Sequence, residues 1–142
     1  MDLAYIIIPI VVVITSQAAK LLTDGIKGNF DIASILSSYG GMPSSHTAFA
    51  ASITTLLGLK IGFDSPIFAT ALVFTLLIIR DATSFRRILG QQNKLFNQLV
   101  ANLPENKKET YPTFRERMGH SWAEVFVGAI YGIAITWILT LI

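Results

Sequence analysis

Two segments of this chain carry residue types that together can handle a phosphate. Gly40-Gly41-Met42-Pro43-Ser44-Ser45-His46 stands directly before an apolar stretch. It offers flexible glycines, two hydroxyls and an imidazole at what must become a helix N-terminus. The unpaired N–H groups and positive pole of such an end attract phosphate, and glycines let the backbone approach closely. Plain helix capping by serine is the simpler use of the same residues, and both uses stay open on these residues alone. The second segment, Gly119-His120-Ser121-Trp122-Ala123-Glu124, opens the last apolar stretch. Its four-residue spacing puts His120 and Glu124 on one helix face. There Glu124 can bind one ring nitrogen, fix the tautomer and leave the other nitrogen for nucleophilic attack or for a metal. An ionisable pair at the edge of an apolar helix is by default a functional-site hypothesis; mutual satisfaction of two polar groups is the plainer alternative.

A third cluster, Arg80-Asp81-Ala82-Thr83-Ser84-Phe85-Arg86-Arg87, sets guanidinium forks beside a carboxylate, a combination suited to phosphate oxygens. Asp81 either buttresses an arginine or simply neutralises Arg80. Lys20 closes the first apolar stretch, where its stem either snorkels to the interface or points inward to an anionic ligand.

These residues need elements to hold them, and the composition says which kind. The chain has 142 residues, 52% hydrophobic and only 14% charged, with no cysteine and a net charge of +2; its mean hydropathy is +0.57. Soluble domains carry about a quarter charged residues, so an ordinary cytosolic domain is excluded, and a single domain over residues 1–142 is expected. Disulfides, a thiolate nucleophile and cysteine-held metals are excluded. So mild a charge gives no reason to expect a nucleic-acid partner.

Leu3 to Ala19 and Val125 to Ile142 lack charged groups and approach the roughly 20 residues that cross a bilayer. Thr47 to Leu59 and Ser65 to Ile79 are shorter apolar stretches that also read as spans. Gly62, Asp64 and Pro66 between them make a tight antiparallel connection. The start Met1-Asp2 lacks a cationic leader, so the first stretch is expected to be retained as an anchor. Two polar regions, 23–46 and 81–119, then share one membrane face with 10 of the 11 lysines and arginines, leaving Lys60 opposite. The positive-inside rule makes that face cytoplasmic and puts both termini on the other side.

Ile88, Leu89, Leu95, Phe96, Leu99, Val100 and Leu103 recur at three- and four-residue spacing among polar neighbours. They predict an amphipathic helix, on the membrane surface or against the bundle, that stops at Leu103-Pro104. Residues 104–112 read as a polar, mobile loop, and 28–41 as an irregular or short helical approach. The expected fold is therefore an all-α integral membrane bundle of about four transmembrane helices plus an amphipathic interfacial helix.

At this point the motifs resemble the type 2 phosphatidic acid phosphatase superfamily, and more closely its divergent branch related to acid phosphatases and vanadium-dependent haloperoxidases. The resemblance rests on Gly40 to His46, on Asp81-Ala82 with Arg86, Arg87, Gly90 and Asn97, and on Gly119, His120 and Glu124 with Val125, Phe126 and Gly128. It implies that His120 attacks phosphorus to form a phosphohistidine, that Glu124 orients it, and that His46 protonates the leaving group. It further implies a phosphate-binding set drawn from Lys20, Ser44, Ser45, Arg86, Arg87 and Arg117, with no metal or other cofactor. Ser45 stands where the superfamily's usual motif has glycine, and Glu124 where it has aspartate. Lys20, Lys27 and Gly28 keep the spacing of its first motif without the arginine-proline, and Thr113 and Phe114 replace a serine-arginine pair, Arg115 and Arg117 being out of register.

The resulting expectation is a membrane phosphatase acting on a phosphomonoester or diphosphate of a lipid, polyprenyl or phosphatidic-acid-like. Membrane lipids surround it, and oligomerisation is one way for so few spans to enclose a site. Three alternatives stand beside it: a weak or inactive lipid-phosphate binder or carrier, a metal site built from His46, His120 and Glu124, and a purely structural bundle.

Overall fold

The computed structural model describes residues 3–23, 41–116 and 118–142, with backbone alone at 21–23. Every regular element among the described residues is helical: α1 (Ala4–Thr23), α2 (Ser45–Ile61), α3 (Pro66–Arg80), a π-helical turn (Asp81–Phe85), α4 (Arg86–Ala101), α5 (Glu105–Lys108) and α6 (Trp122–Thr140). Each expected apolar stretch coincides, to within two residues at its ends, with part of α1, α2, α3 or α6, and most of the amphipathic stretch forms α4. The connection between α2 and α3 follows its residue chemistry. Gly62 donates to the Gly58 carbonyl at the end of α2, and Ser65 accepts from the Phe68 N–H at 3.2 Å to cap α3 behind Pro66.

Two features differ from the sequence pattern. Residues 104–112, expected as a loop, contain the helical turn α5, closed by a Lys108–Glu105 ion pair of 2.7 Å. And α3, the π turn and α4 run as one uninterrupted helix of 36 residues. Nothing at Asp81–Phe85 is a helix breaker, so the chain widens its turn there instead of ending it. The approach to Gly40, with Lys27 and Gly28, lies outside the described residues.

The helix Pro66–Ala101 and the helix Trp122–Thr140 are long and apolar enough to cross a membrane, and Ala4–Lys20 is a shorter apolar helix. Their exposed and buried residues are distributed as lipid would dictate. In α3 the buried side chain is Thr75, while Val73, Phe74, Leu76 and Leu77 are each more than half exposed. In α6, Gly128, Gly132 and Thr136 face inward, and Phe126, Ile130 and Trp137 face out. A water-facing surface of this size is unusual; an apolar surrounding explains it, and the small inward residues permit close helix packing.

The centre is α2, which packs on α1, α3 and α6. Its seam with α6 is a ladder of small residues. A side chain at Gly128 would collide with the Ser44 carbonyl, and one at Gly132 with that of Ala48. One step further, Thr136 Oγ1 donates to Ser52 Oγ at 2.6 Å. On the opposite side Thr54 and Thr75 share a hydrogen bond of 2.8 Å, tying α2 to α3. With no apolar gain in lipid, backbone contact and buried hydroxyl pairs hold such helices together.

Candidate active site

The site is assembled where the N-terminal ends of α2 and α6 meet the π turn. Gly119 has φ +82°, and a side chain on it would strike the Ala82 carbonyl and the Arg87 amide; glycine alone fits. The next N–H, that of His120, donates to the Ala82 carbonyl at 2.9 Å. The widened turn, in which the Arg86 N–H reaches back to Asp81, is the kind of local opening that π segments make. The chain arrives along a strap on α4. Asn97 makes paired bonds to Phe114, 2.7 Å to its carbonyl and 3.0 Å from its N–H, and Asn93 donates to the Arg115 carbonyl at 2.7 Å.

Glu124 then joins the two histidine motifs. Its Oε2 lies 3.1 Å from His120 Nδ1 and accepts from the Ser121 N–H at 2.8 Å, while its Oε1 accepts from the Gly41 N–H at 3.2 Å. The Glu124 carbonyl also accepts from the Ser44 N–H at 3.0 Å. Ser121 returns the favour, accepting from the Glu124 N–H, so the pair forms a capping box for α6. The signal for this, serine followed by glutamate three residues on, was in the sequence but was overshadowed by the histidine.

His120 is only 6% exposed and lines a cavity of about 300 Å³ together with His46, Asp81, Ala82 and Arg86, closed on the lipid side by Phe49, Phe74, Leu77 and Ile78. The two imidazole rings have centroids 6.4 Å apart and are tilted by 58° to each other. Burial lowers the pKa of His120 below the ordinary 6.5; the hydrogen bond and charge of Glu124 oppose that shift, and Lys20 and Arg86 add to it. The ring is therefore neutral at neutral pH. With Nδ1–H donating to the carboxylate, Nε2 carries the lone pair.

The remaining expected site residues divide clearly. Arg86 enters the cavity, its Nε held by Asp81 Oδ2 at 2.6 Å, so Asp81 buttresses Arg86. Lys20 is buried, turned into the bundle, and its charge acts on both imidazoles. Ser44 is the N-cap of α2, its hydroxyl engaged with Thr47. Ser45 Oγ is buried and has no hydrogen-bond partner among the described residues. Arg87 is exposed and does not line the cavity, and Arg117 lies outside the described residues. A metal site at His46, His120 and Glu124 is not formed: no group of three potential metal-binding side chains occurs among the described residues, and both Glu124 oxygens are occupied by N–H donors.

Residues 1–135 match the Divergent PAP2 family. The chain belongs to that family. It is 35% identical over 117 residues to the uncharacterized membrane protein YuiD of Bacillus subtilis (strain 168), covering 75% of this chain and 74% of the relative. No solved structure matches it.

Proposed function

We propose that the protein is an integral membrane phosphatase that hydrolyses a lipid phosphomonoester or diphosphate through a phosphohistidine at His120, without a metal. The observation that carries this reading is the Glu124–His120 contact of 3.1 Å at a buried ring lining one cavity with His46 and Arg86. In the first step Nε2 of His120 attacks phosphorus, and the bond from phosphorus to the leaving oxygen breaks. His46, protonated, donates to that oxygen, so the lipid departs as a neutral alcohol or the shorter phosphate. Water then attacks the phosphohistidine, giving its proton to His46, and inorganic phosphate leaves with His120 restored. Glu124 is the positioning residue that stabilises the charge growing on the imidazole. Arg86 and Lys20 neutralise the phosphoryl oxygens, and Ser45 Oγ–H supplies a donor; Ser44 acts through the helix α2 that it caps.

In this reading α1, α2, α3 and α6 all cross the bilayer, α4 carries the α3 helix onward beyond the π turn, and the head-group site faces the cytoplasm, since by this topology 10 of 11 basic residues fall on that side. A phosphate held at the interface with its lipid tail left in the bilayer favours lipid over soluble substrates. The test is phosphate release by purified protein in detergent with chelator present, wild type against His120→Ala, over polyprenyl and glycerolipid phosphates. Release abolished by the substitution supports the reading. Tight binding by folded wild-type protein without release would instead make it a lipid-phosphate binder, with Ser45 and Glu124 as the altered positions.

A further inference from the structure

The helix Pro66–Ala101 does not stop where the bilayer does. In the topology proposed above, the cluster Arg80, Arg86 and Arg87 marks the membrane edge. At 1.5 Å per residue, Leu95 stands about 12 Å beyond Arg87 and Leu99 about 18 Å beyond it, whereas the head-group layer is only about 5–7 Å deep on each side. Yet Phe85, Ile88, Leu95 and Leu99 are each more than half exposed, and Gln92 is exposed among them. These five positions alternate at intervals of three and four residues, the a and d positions of a heptad. The row lies roughly opposite the strap, which packs on Gly90 and bonds to Asn93 and Asn97, with Phe96 held between Tyr111 and Phe114. The chain thus covers one side of α4 and leaves the row open. Lipid is a poor cover for it. A helix lying on a membrane surface is rich in Lys and Arg on its polar face, and beyond Arg87 the polar residues of α4 are Lys94 and five uncharged amides, Gln91, Gln92, Asn93, Asn97 and Gln98.

We propose that the protein pairs with a second copy of itself through α4, in a short parallel coiled coil along Phe85, Ile88, Gln92, Leu95 and Leu99. The pairing uses the topology above but not the phosphatase chemistry. Two copies in one bilayer share an orientation, so their α4 helices meet parallel about a two-fold axis, and each residue of the row faces its own counterpart. The row and its flanking positions Leu89, Gln91, Phe96 and Gln98 carry no charge, so an identical surface meets it without like-charge repulsion. Gln92 then meets Gln92. An amide both donates and accepts, and one polar residue at an a position fixes register and oligomer state. Helices this short are marginal alone in water, but α3 holds both copies parallel and confined to one plane, which raises their effective concentration.

The chain contains no cysteine, so single introduced cysteines report without background. In native membranes, mild oxidation should link Gln92→Cys, Leu95→Cys and Leu99→Cys into a species of twice the 15.6 kDa chain mass, several-fold faster than Lys94→Cys and Ala101→Cys on the far side of α4, because a disulfide needs Cβ atoms about 4 Å apart. Equal rates at all five positions, or no link at any, would overturn the proposal. So would links at the row to a chain other than a second copy, which two differently tagged copies distinguish. A second arm reads the surroundings of the row. A fluorophore on Leu99→Cys in nanodiscs should be quenched no more by brominated lipid than one on Lys94→Cys; strong quenching at Leu99 alone would give the row to the membrane surface and overturn the pairing. Leu95→Glu with Leu99→Glu should convert the purified dimer to single chains by light scattering while its helix content stays unchanged. None of these readouts needs phosphate release, so an inactive protein that still links along the row fails the phosphatase reading and keeps the dimer.

Discussion

The N–H of His120 hangs from the carbonyl of Ala82 at 2.9 Å, so the proposed nucleophile is fixed to a π turn in a helix nearly 40 residues upstream. Gly119 makes that contact geometrically feasible. Gly119→Ala would force a side chain onto a φ of +82° and against the Ala82 carbonyl, a strain of about 1–2 kcal/mol from the backbone alone. We expect kcat to fall at least tenfold while the protein still purifies as a folded species, checked by phosphate release beside a thermal melt in detergent. A rate equal to wild type would show that His120 is placed by other contacts.

Glu124 spans what a shorter acid cannot. Its two oxygens reach His120 Nδ1 at 3.1 Å and Gly41 N at 3.2 Å, from opposite sides of the carboxylate. Glu124→Asp loses one methylene and must release one partner. The expected outcome is a drop in kcat of about a hundredfold, the scale on which a misplacement near 1 Å acts, with KM changing far less. Steady-state kinetics separates the two parameters.

Asp81 holds Arg86 by a 2.6 Å bond between carboxylate and Nε, with both side chains about a third or more exposed. Such a pair adds little stability, so under the proposed function its role is to aim the guanidinium. Asp81→Asn should leave the melting temperature within a degree or two and raise KM several-fold. Arg86→Lys, which keeps the charge but loses the fork, should do the same.

How much of this was legible beforehand follows from what each signal depends on. Apolar runs and the Gly62–Pro66 connection are local properties, and the helices formed where they indicated. His46, His120 and Glu124 could be paired because their spacing and their position at helix starts are written in the chain. The turn at Asp81–Phe85 was not legible, since no residue type in it marks a π segment, and the bond that meets it, from the His120 N–H to the Ala82 carbonyl, joins residues distant in sequence. The separate tasks of Ser44 and Ser45 were hidden for a similar reason: which hydroxyl caps and which stays unpaired depends on where α6 packs. Asn93 and Asn97, four apart on one face of α4, did carry a helical-spacing signal, but their partners Phe114 and Arg115 are distant in sequence.

The seam between α2 and α6 gives a stability prediction separate from chemistry. Gly132→Val places two methyl groups where even a Cβ would overlap the Ala48 backbone. Overpacking of this kind costs about 1–3 kcal/mol or more, and the helices would have to separate. The melting temperature in detergent should fall by several degrees, and activity with it, because Ser44 rests on the neighbouring Gly128. Ala134→Val, on the exposed side of the same helix, should leave both unchanged.

The titration of His120 tests the electrostatics directly. Burial lowers its pKa below 6.5, Glu124 acts to raise it, and Lys20 and Arg86 act to lower it. A base is nucleophilic above its pKa, so the acid limb of activity should fall below pH 6.5 and not at it. The chain has two histidines, so imidazole carbon or nitrogen NMR shifts can follow His120 alone in a His46→Asn background. Removing the supporting carboxylate in Glu124→Gln should move the midpoint to lower pH, and removing a cation in Lys20→Met should move it higher, towards 6.5. A purely structural role for either residue would change the fold or the plateau rate and leave the midpoint in place. Opposite displacements from the two substitutions are therefore the signature of a neutral imidazole balanced between a carboxylate and the cations that would hold the phosphate.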